Sequence, residues 1–146
     1  MEYFVKGSWL LCLTVAALED LKTRQVSLIL LLVGSIPGIW ALCIWGFHLS
    51  AHLWAASVGV FMLLLSRITK GALGEGDGYF FLFSALYWNT EQVCLLFLGS
   101  LGIGCIWGMG LFMYERWNGK FNRDTASIPF LTCVWPVGVW MVMQCF

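Results

Sequence analysis

Short clusters of charge and glycine divide the chain into six apolar stretches: Phe4–Leu18, Val26–Trp45, Leu49–Ser66, Gly78–Tyr87, Gln92–Tyr114 and Ile128–Cys145. Apolar runs bounded in this way predict helices. Trp45, Trp54, Trp88, Trp117 and Tyr114 fall near the predicted ends, where amphipathic rings sit at a membrane–water boundary. The fourth stretch is the weakest: it is short, and Gly74-Glu75-Gly76-Asp77 interrupts its start. Short, glycine-interrupted spans mark places where irregular backbone is buried in protein or lines a wet cavity.

Composition fixes the solvent. Hydrophobic residues are 60% of the 146 positions and charged residues 11%, with mean hydropathy +0.83. Soluble domains carry roughly 45–50% apolar and about 25% charged residues, and a small soluble fold cannot hide so much apolar surface. A span needs about 20 mostly apolar residues, so the chain has room for at most about seven. The expectation is an all-α polytopic membrane bundle of about six transmembrane helices, with 1–146 forming a single membrane-embedded domain.

Charge assigns the sides. With the amino terminus outside, the inner loops hold Lys22, Arg24, Arg67, Lys70, Arg116, Lys120 and Arg123, against Lys6 alone outside. The positive-inside rule favours this even span count, which places both termini outside the membrane. Lys6, the following apolar run and Val15-Ala16-Ala17 also fit a signal peptide with its cleavage site, but cleavage would strand Lys22 and Arg24 outside. The net charge is zero, and no basic patch suggests a nucleic-acid partner; the expected surroundings are a lipid bilayer.

Two acids stand out. Ionisable groups at membrane depth cost about 2.5–3.5 kcal/mol or more and are functional candidates by default. Asp20 closes the first predicted helix and Asp77 opens the fourth, which puts them at one depth on the inner side. Two adjacent carboxylates cannot both ionise cheaply, so such a pair shares a proton. One member can then activate water while the other protonates a leaving amine. The competing reading makes Asp20 a solvated loop charge near Lys22 and Arg24, and Asp77 a helix cap. Gly74, Gly76 and Gly78 permit unusual backbone angles and close approach of another chain, including a substrate strand.

Other chemistries find little support. His48 and His52 lack a third metal ligand and read as outer loop residues. The cysteines Cys12, Cys43, Cys94, Cys105, Cys133 and Cys145 form no CxxC pair, so they read as buried free thiols, with no metal or cofactor expected.

Gly74-Glu75-Gly76-Asp77 resembles the GxGD signature shared by prepilin peptidases, archaeal preflagellin peptidases and presenilin-type proteases. Asp20-Leu21-Lys22-Thr23-Arg24-Gln25-Val26 resembles the first-aspartate segment of the prepilin peptidases (the type IV leader peptidase family), and Ser127-Ile128-Pro129-Phe130 the sequence opening their last helix. The chain differs at Tyr79, where family members often have Lys, and at Ser27, where Pro commonly stands. It has no CxxC of the kind found in the cysteine-rich loop of the larger bacterial enzymes, so the resemblance does not carry over their methyltransferase function.

The resemblance implies a short, peptidase-only aspartic endopeptidase of the cytoplasmic membrane. It would remove the basic leader of prepilin or pilin-like substrates at the inner face, usually after a Gly. Asp20 and Asp77 would be the catalytic pair, with no metal and no covalent intermediate. Gly74, Glu75, Gly76, Gly78 and Glu19 would meet the substrate, the glutamates drawing in the basic leader. The alternatives are a GxGD protease with another membrane substrate, and a non-enzymatic transporter or assembly protein.

Overall fold

A computed structural model describes residues 2–23, 26–45, 49–68, 74–118 and 130–145. It contains six helices: α1 (Glu2–Thr23), α2 (Leu28–Trp45), α3 (Leu49–Ile68), α4 (Glu75–Ser84), α5 (Thr90–Asn118) and α6 (Phe130–Met143). These match the six predicted stretches in number, order and approximate bounds. His48, Arg24, Lys70, Lys120, Arg123 and Ser127–Pro129 lie outside the described residues.

The helices pack in a closed ring, in the order α1, α2, α4, α3, α5, α6 and back to α1. The closest crossing is α3 on α4. A Cβ built on Gly59 would come within 2.6 Å of the Leu82 backbone nitrogen, and one built on Gly78 within 2.7 Å of the Leu63 side chain. Glycine on both helices is therefore what lets these two backbones touch, as small residues do in membrane helix pairs.

The exterior of the molecule is unlike that of a soluble protein. Large apolar side chains cover the outside, including Ile29, Leu32, Ile36, Leu98, Ile106, Trp107 and Met113, each more than half exposed. A contiguous apolar exterior of this kind marks contact with lipid. Inside lie Trp9, Leu13, Phe80, Phe81, Trp88 and Leu131, together with the polar Asp20, Ser66, Asp77, Ser84 and Ser100.

Membrane length is met helix by helix only in part. Among the described residues, 50–68 and 90–114 are long and apolar enough to cross a bilayer, while 28–44 and 130–143 are apolar but shorter. Of the six expected spans, these two meet the length and hydropathy of a full crossing. The 10 residues of α4 rise only about 15 Å, half of a typical hydrocarbon core. Turns continue α4 through Trp88, with Trp88 N–H donating to the Ser84 carbonyl at 3.1 Å.

Two further expectations change. Trp88 is not an interfacial ring: it is 1% exposed and meets Trp9 edge-on at 5.3 Å between ring centroids. Trp54, Trp117 and Tyr114 are exposed as expected. All six cysteines are free, but only Cys12 and Cys133 are buried, and Cys43 and Cys105 lie on the exposed surface. Val15-Ala16-Ala17 sits within the continuous α1, with Ala16 and Ala17 buried against the core.

Candidate active site

The face that α1 turns inward comprises Trp9, Cys12, Leu13, Ala16, Ala17 and Asp20. Their spacing of three and four is that of one stripe on a 3.6-residue helix. Asp20 therefore points into the bundle because it continues this stripe. It does not end the helix, as expected, since α1 runs on to Thr23 with Lys22 in its last turn, where a cation suits the helix dipole. Asp20 is 8% exposed, which removes its reading as a solvated loop charge.

Asp77 reaches the same place from α4. This helix begins earlier than expected, at Glu75, with Gly74 as its N-cap (φ −63°, ψ 127°), so Asp77 sits in the first turn. Its backbone N–H donates to the Gly74 carbonyl at 3.2 Å. At 7% exposure Asp77 is as buried as its counterpart. The two carboxyl groups are close enough for Asp20 to act electrostatically on Asp77. Like charges so placed cannot both ionise cheaply, which favours one proton shared by the pair.

The glycine frame works differently from the expected irregular loop. Gly76 and Gly78 are helical, and the space beside them holds the chain's own residues. A Cβ on Gly76 would meet the Val26 side chain at 3.0 Å. At Gly74 the nearest described atom to a built Cβ is Asp77 Oδ2, at 3.2 Å. Gly74 and Glu75 are both exposed at this end of the bundle. Glu19 has a partner within the chain: its Oε2 accepts the backbone N–H of Ser27 at 3.1 Å, ahead of α2.

One element of the site was missed in the sequence. The backbone N–H of Leu131, in the first turn of α6, donates to Asp20 Oδ2 at 3.1 Å, across 111 positions of chain. The adjacent Phe130 ring lies 6.3 Å from Phe81, one turn along α4 from Asp77. Cys133, two residues on, also lies within the electrostatic reach of Asp20. The available signal was Pro129: proline favours a helix start, and the first N–H groups of a helix need acceptors from elsewhere.

At the other end of the bundle Lys6 lies over the Trp88 ring at 5.4 Å, and Trp9 Nε1–H donates to Ser84 Oγ at 3.2 Å. His52, expected from the sequence to be a loop residue, instead lies in α3; its Nδ1 is 2.8 Å from the Ala85 carbonyl oxygen, so this histidine binds the backbone at the end of α4.

The type IV leader peptidase family matches residues 8–109 of the chain, a stretch that holds both aspartates and the whole Gly74–Gly78 frame. Comparison with curated proteins and with solved structures finds no significant match. The match spans most of the chain and includes the GxGD segment, so the protein belongs to the type IV leader peptidase family, the prepilin peptidases.

Proposed function

We propose that the protein is an intramembrane aspartic endopeptidase that removes the short basic leader of prepilin-like substrates at the cytoplasmic membrane face. The observation that carries this reading is the pair itself: two buried carboxyl groups, from α1 and α4, coupled at one end of a bundle clothed in apolar side chains.

The chemistry follows from one proton shared by two carboxyl groups. The ionised member takes a proton from water as the water oxygen attacks the scissile carbonyl carbon. The protonated member gives its proton to the carbonyl oxygen. As the resulting gem-diol collapses, one of its hydroxyls returns a proton to the now ionised member, the C–N bond breaks, and the proton taken from water passes to the departing amine. General acid and general base thus exchange roles within one turnover. Gly74 and Glu75 are the residues proposed to meet the leader. Gly76 and Gly78 serve the substrate by letting Val26 and Leu63 pack close and so setting the position of Asp77. Glu19 adds negative charge beside Asp20.

The topology proposed with this mechanism has six crossings and both termini outside, which puts Asp20 and Asp77 at the inner face among basic loops. Within it, 1–146 is a single peptidase domain. The test is co-expression with candidate prepilins, following leader removal by wild type, Asp20→Asn and Asp77→Asn. Both variants should insert normally and leave the leader in place; substantial processing by either one overturns the mechanism.

A further inference from the structure

The last helix bonds one member of the proposed pair and packs against the helix that carries the other. Leu131 N–H donates to Asp20 Oδ2, and Phe130 seats on Phe81 of α4. Leu131 is fully buried, so the contact is held in a dry setting where a hydrogen bond to a carboxylate is strong. We infer that the first turn of α6 is the positioning element of the pair, and that the Leu131 N–H makes Asp20 the charged member and water-activating base, leaving the proton on Asp77. This inference rests on the proposed catalytic pair and adds a division of labour to it.

Two physical effects act in the same direction. An N–H donor stabilises a carboxylate over a carboxylic acid, and the amino-terminal end of a helix carries partial positive charge. Asp77 occupies the first turn of its own, shorter helix. Asp77 from α4 and Cys133 from α6 are titratable groups within electrostatic reach of Asp20. From α2 there is no titratable side chain at this end, and Glu19 on its own helix is engaged with Ser27. The backbone bond from α6 is the contact that sets Asp20 apart in this reading.

The contact also fixes geometry. With Oδ2 held by Leu131, Asp20 presents its remaining lone pairs in one orientation, and a reacting water must be aligned with them. Phe130, one residue earlier, limits how far α4 can shift against α6. The two contacts come from consecutive residues, so a displacement of the α6 turn would move both acids' surroundings at once.

The donor can be deleted without touching a side chain. Replacing Leu131 by its α-hydroxy acid converts the amide to an ester and removes only the N–H. Leu131→Pro removes it with an encoded residue, in a first turn that tolerates proline because its N–H groups have no partner within the helix. Full-length protein in detergent micelles, with a prepilin substrate, should show kcat reduced about tenfold and the acidic limb of the kcat profile moved up by about one pH unit, the scale of a hydrogen bond to a charged group. KM should change little.

Infrared titration of the carboxyl groups in an Asp77→Asn background gives a readout independent of activity. There, the ester should make Asp20 titrate at higher pH than the amide does. Unchanged titration, or a fall in kcat with an unmoved acidic limb, overturns the inference. If the ester protein does not fold, the Leu131→Pro titration decides on the same criterion. Asp20→Asn separates the two levels: if it still cleaves, the proposed pair itself fails, whereas inactive Asp20→Asn with a wild-type profile for the ester overturns only the role of α6.

Discussion

The two ends of the bundle use buried polar groups in opposite ways. At the end holding Lys6 and Trp88 a set of polar groups pairs off, although Trp88 Nε1–H has no hydrogen-bond acceptor among the described residues. Trp9 Nε1–H meets Ser84 Oγ, Ser84 O–H meets the Phe80 carbonyl at 2.9 Å, and Thr90 O–H meets the Ala51 carbonyl at 2.7 Å. Tyr87 O–H donates to the Gly34 carbonyl of α2. At the opposite end two buried carboxyl groups lie within electrostatic reach of one another. Satisfied polar groups rigidify a core, whereas adjacent buried like charges oppose folding. One end is built as a clasp, and the other brings together the two acids proposed to carry the chemistry.

The largest expected effect is at the acidic end. Asp20→Asn and Asp77→Asn should each lower leader cleavage by roughly a thousandfold or more, and the double variant should do no worse, because the pair acts as a unit. Neither should lower the unfolding temperature in micelles, since Asp20→Asn removes a buried charge and Asp77→Asn replaces a neutral acid by a neutral amide of the same shape. A marked loss of stability without loss of cleavage would reverse the comparison and make the acids part of the clasp. The same sharing of one proton predicts a bell-shaped pH profile. Activity falls at low pH as the charged member takes a proton, and at high pH as the shared proton is lost.

Gly78→Ala tests how the ends communicate. The new Cβ would stand 2.7 Å from Leu63 Cδ2 and 3.1 Å from the Leu63 backbone nitrogen, so α3 and α4 must separate. Overpacking of this kind costs about 1–3 kcal/mol. Because Gly78 adjoins Asp77, kcat should also fall, about tenfold, even in the folded fraction. A variant destabilised to this extent with unchanged kcat would mean that the α3–α4 crossing does not set the position of Asp77.

Ser84→Ala should do the reverse. It leaves the buried Trp9 Nε1–H without its acceptor, which costs about 1–3 kcal/mol, measured by chemical unfolding in micelles. Cleavage per folded molecule should not change. A selective loss of activity would show that the clasp is not separate from the chemistry.

Much of this contrast was legible in the chain. The apolar runs gave six helices, and the spacing Trp9, Cys12, Leu13, Ala16, Ala17 already points Asp20 inward. Asp77 stood out as an acid among glycines beside an apolar run. What the letters did not carry was the tertiary setting. Trp88 looked interfacial because an amphipathic ring at a helix end suits either lipid headgroups or a core partner, and only the position of Trp9 decides between them. The Leu131 contact is made by a backbone N–H, a group every residue but proline possesses, so no side chain announces it. Helix bounds moved by a few residues for a similar reason. The charges that close an apolar run at Asp20 or precede one at Glu75 are compatible with a helix once their partners are supplied by other elements.

The smallest expected effect concerns the rim of the acidic end. Glu75 is exposed in the first turn of α4, close in sequence to Asp77, while Glu19 adjoins Asp20 and binds Ser27 N–H. If these acids draw a basic leader toward the pair, Glu75→Gln should raise KM for a Lys/Arg-rich leader about twofold to fivefold at low salt, consistent with exposed ion pairs contributing at most about 1 kcal/mol. Turnover should be unchanged, because the glutamate meets the leader and not the reacting bond. Raising the ionic strength to about 1 M shortens the screening length to roughly 3 Å, so the variant and wild type should converge. Glu19→Gln keeps a side-chain oxygen able to accept from Ser27, which separates its charge from its structural bond. It should reproduce a fraction of the Glu75→Gln effect with the same salt dependence. A leader stripped of basic residues should show no difference among the three proteins. Equal KM values for all of them at low salt, with the basic leader, would confine both glutamates to structural work, Glu19 before α2 and Glu75 in the first turn of α4. The acidic end would then consist of the two aspartates alone.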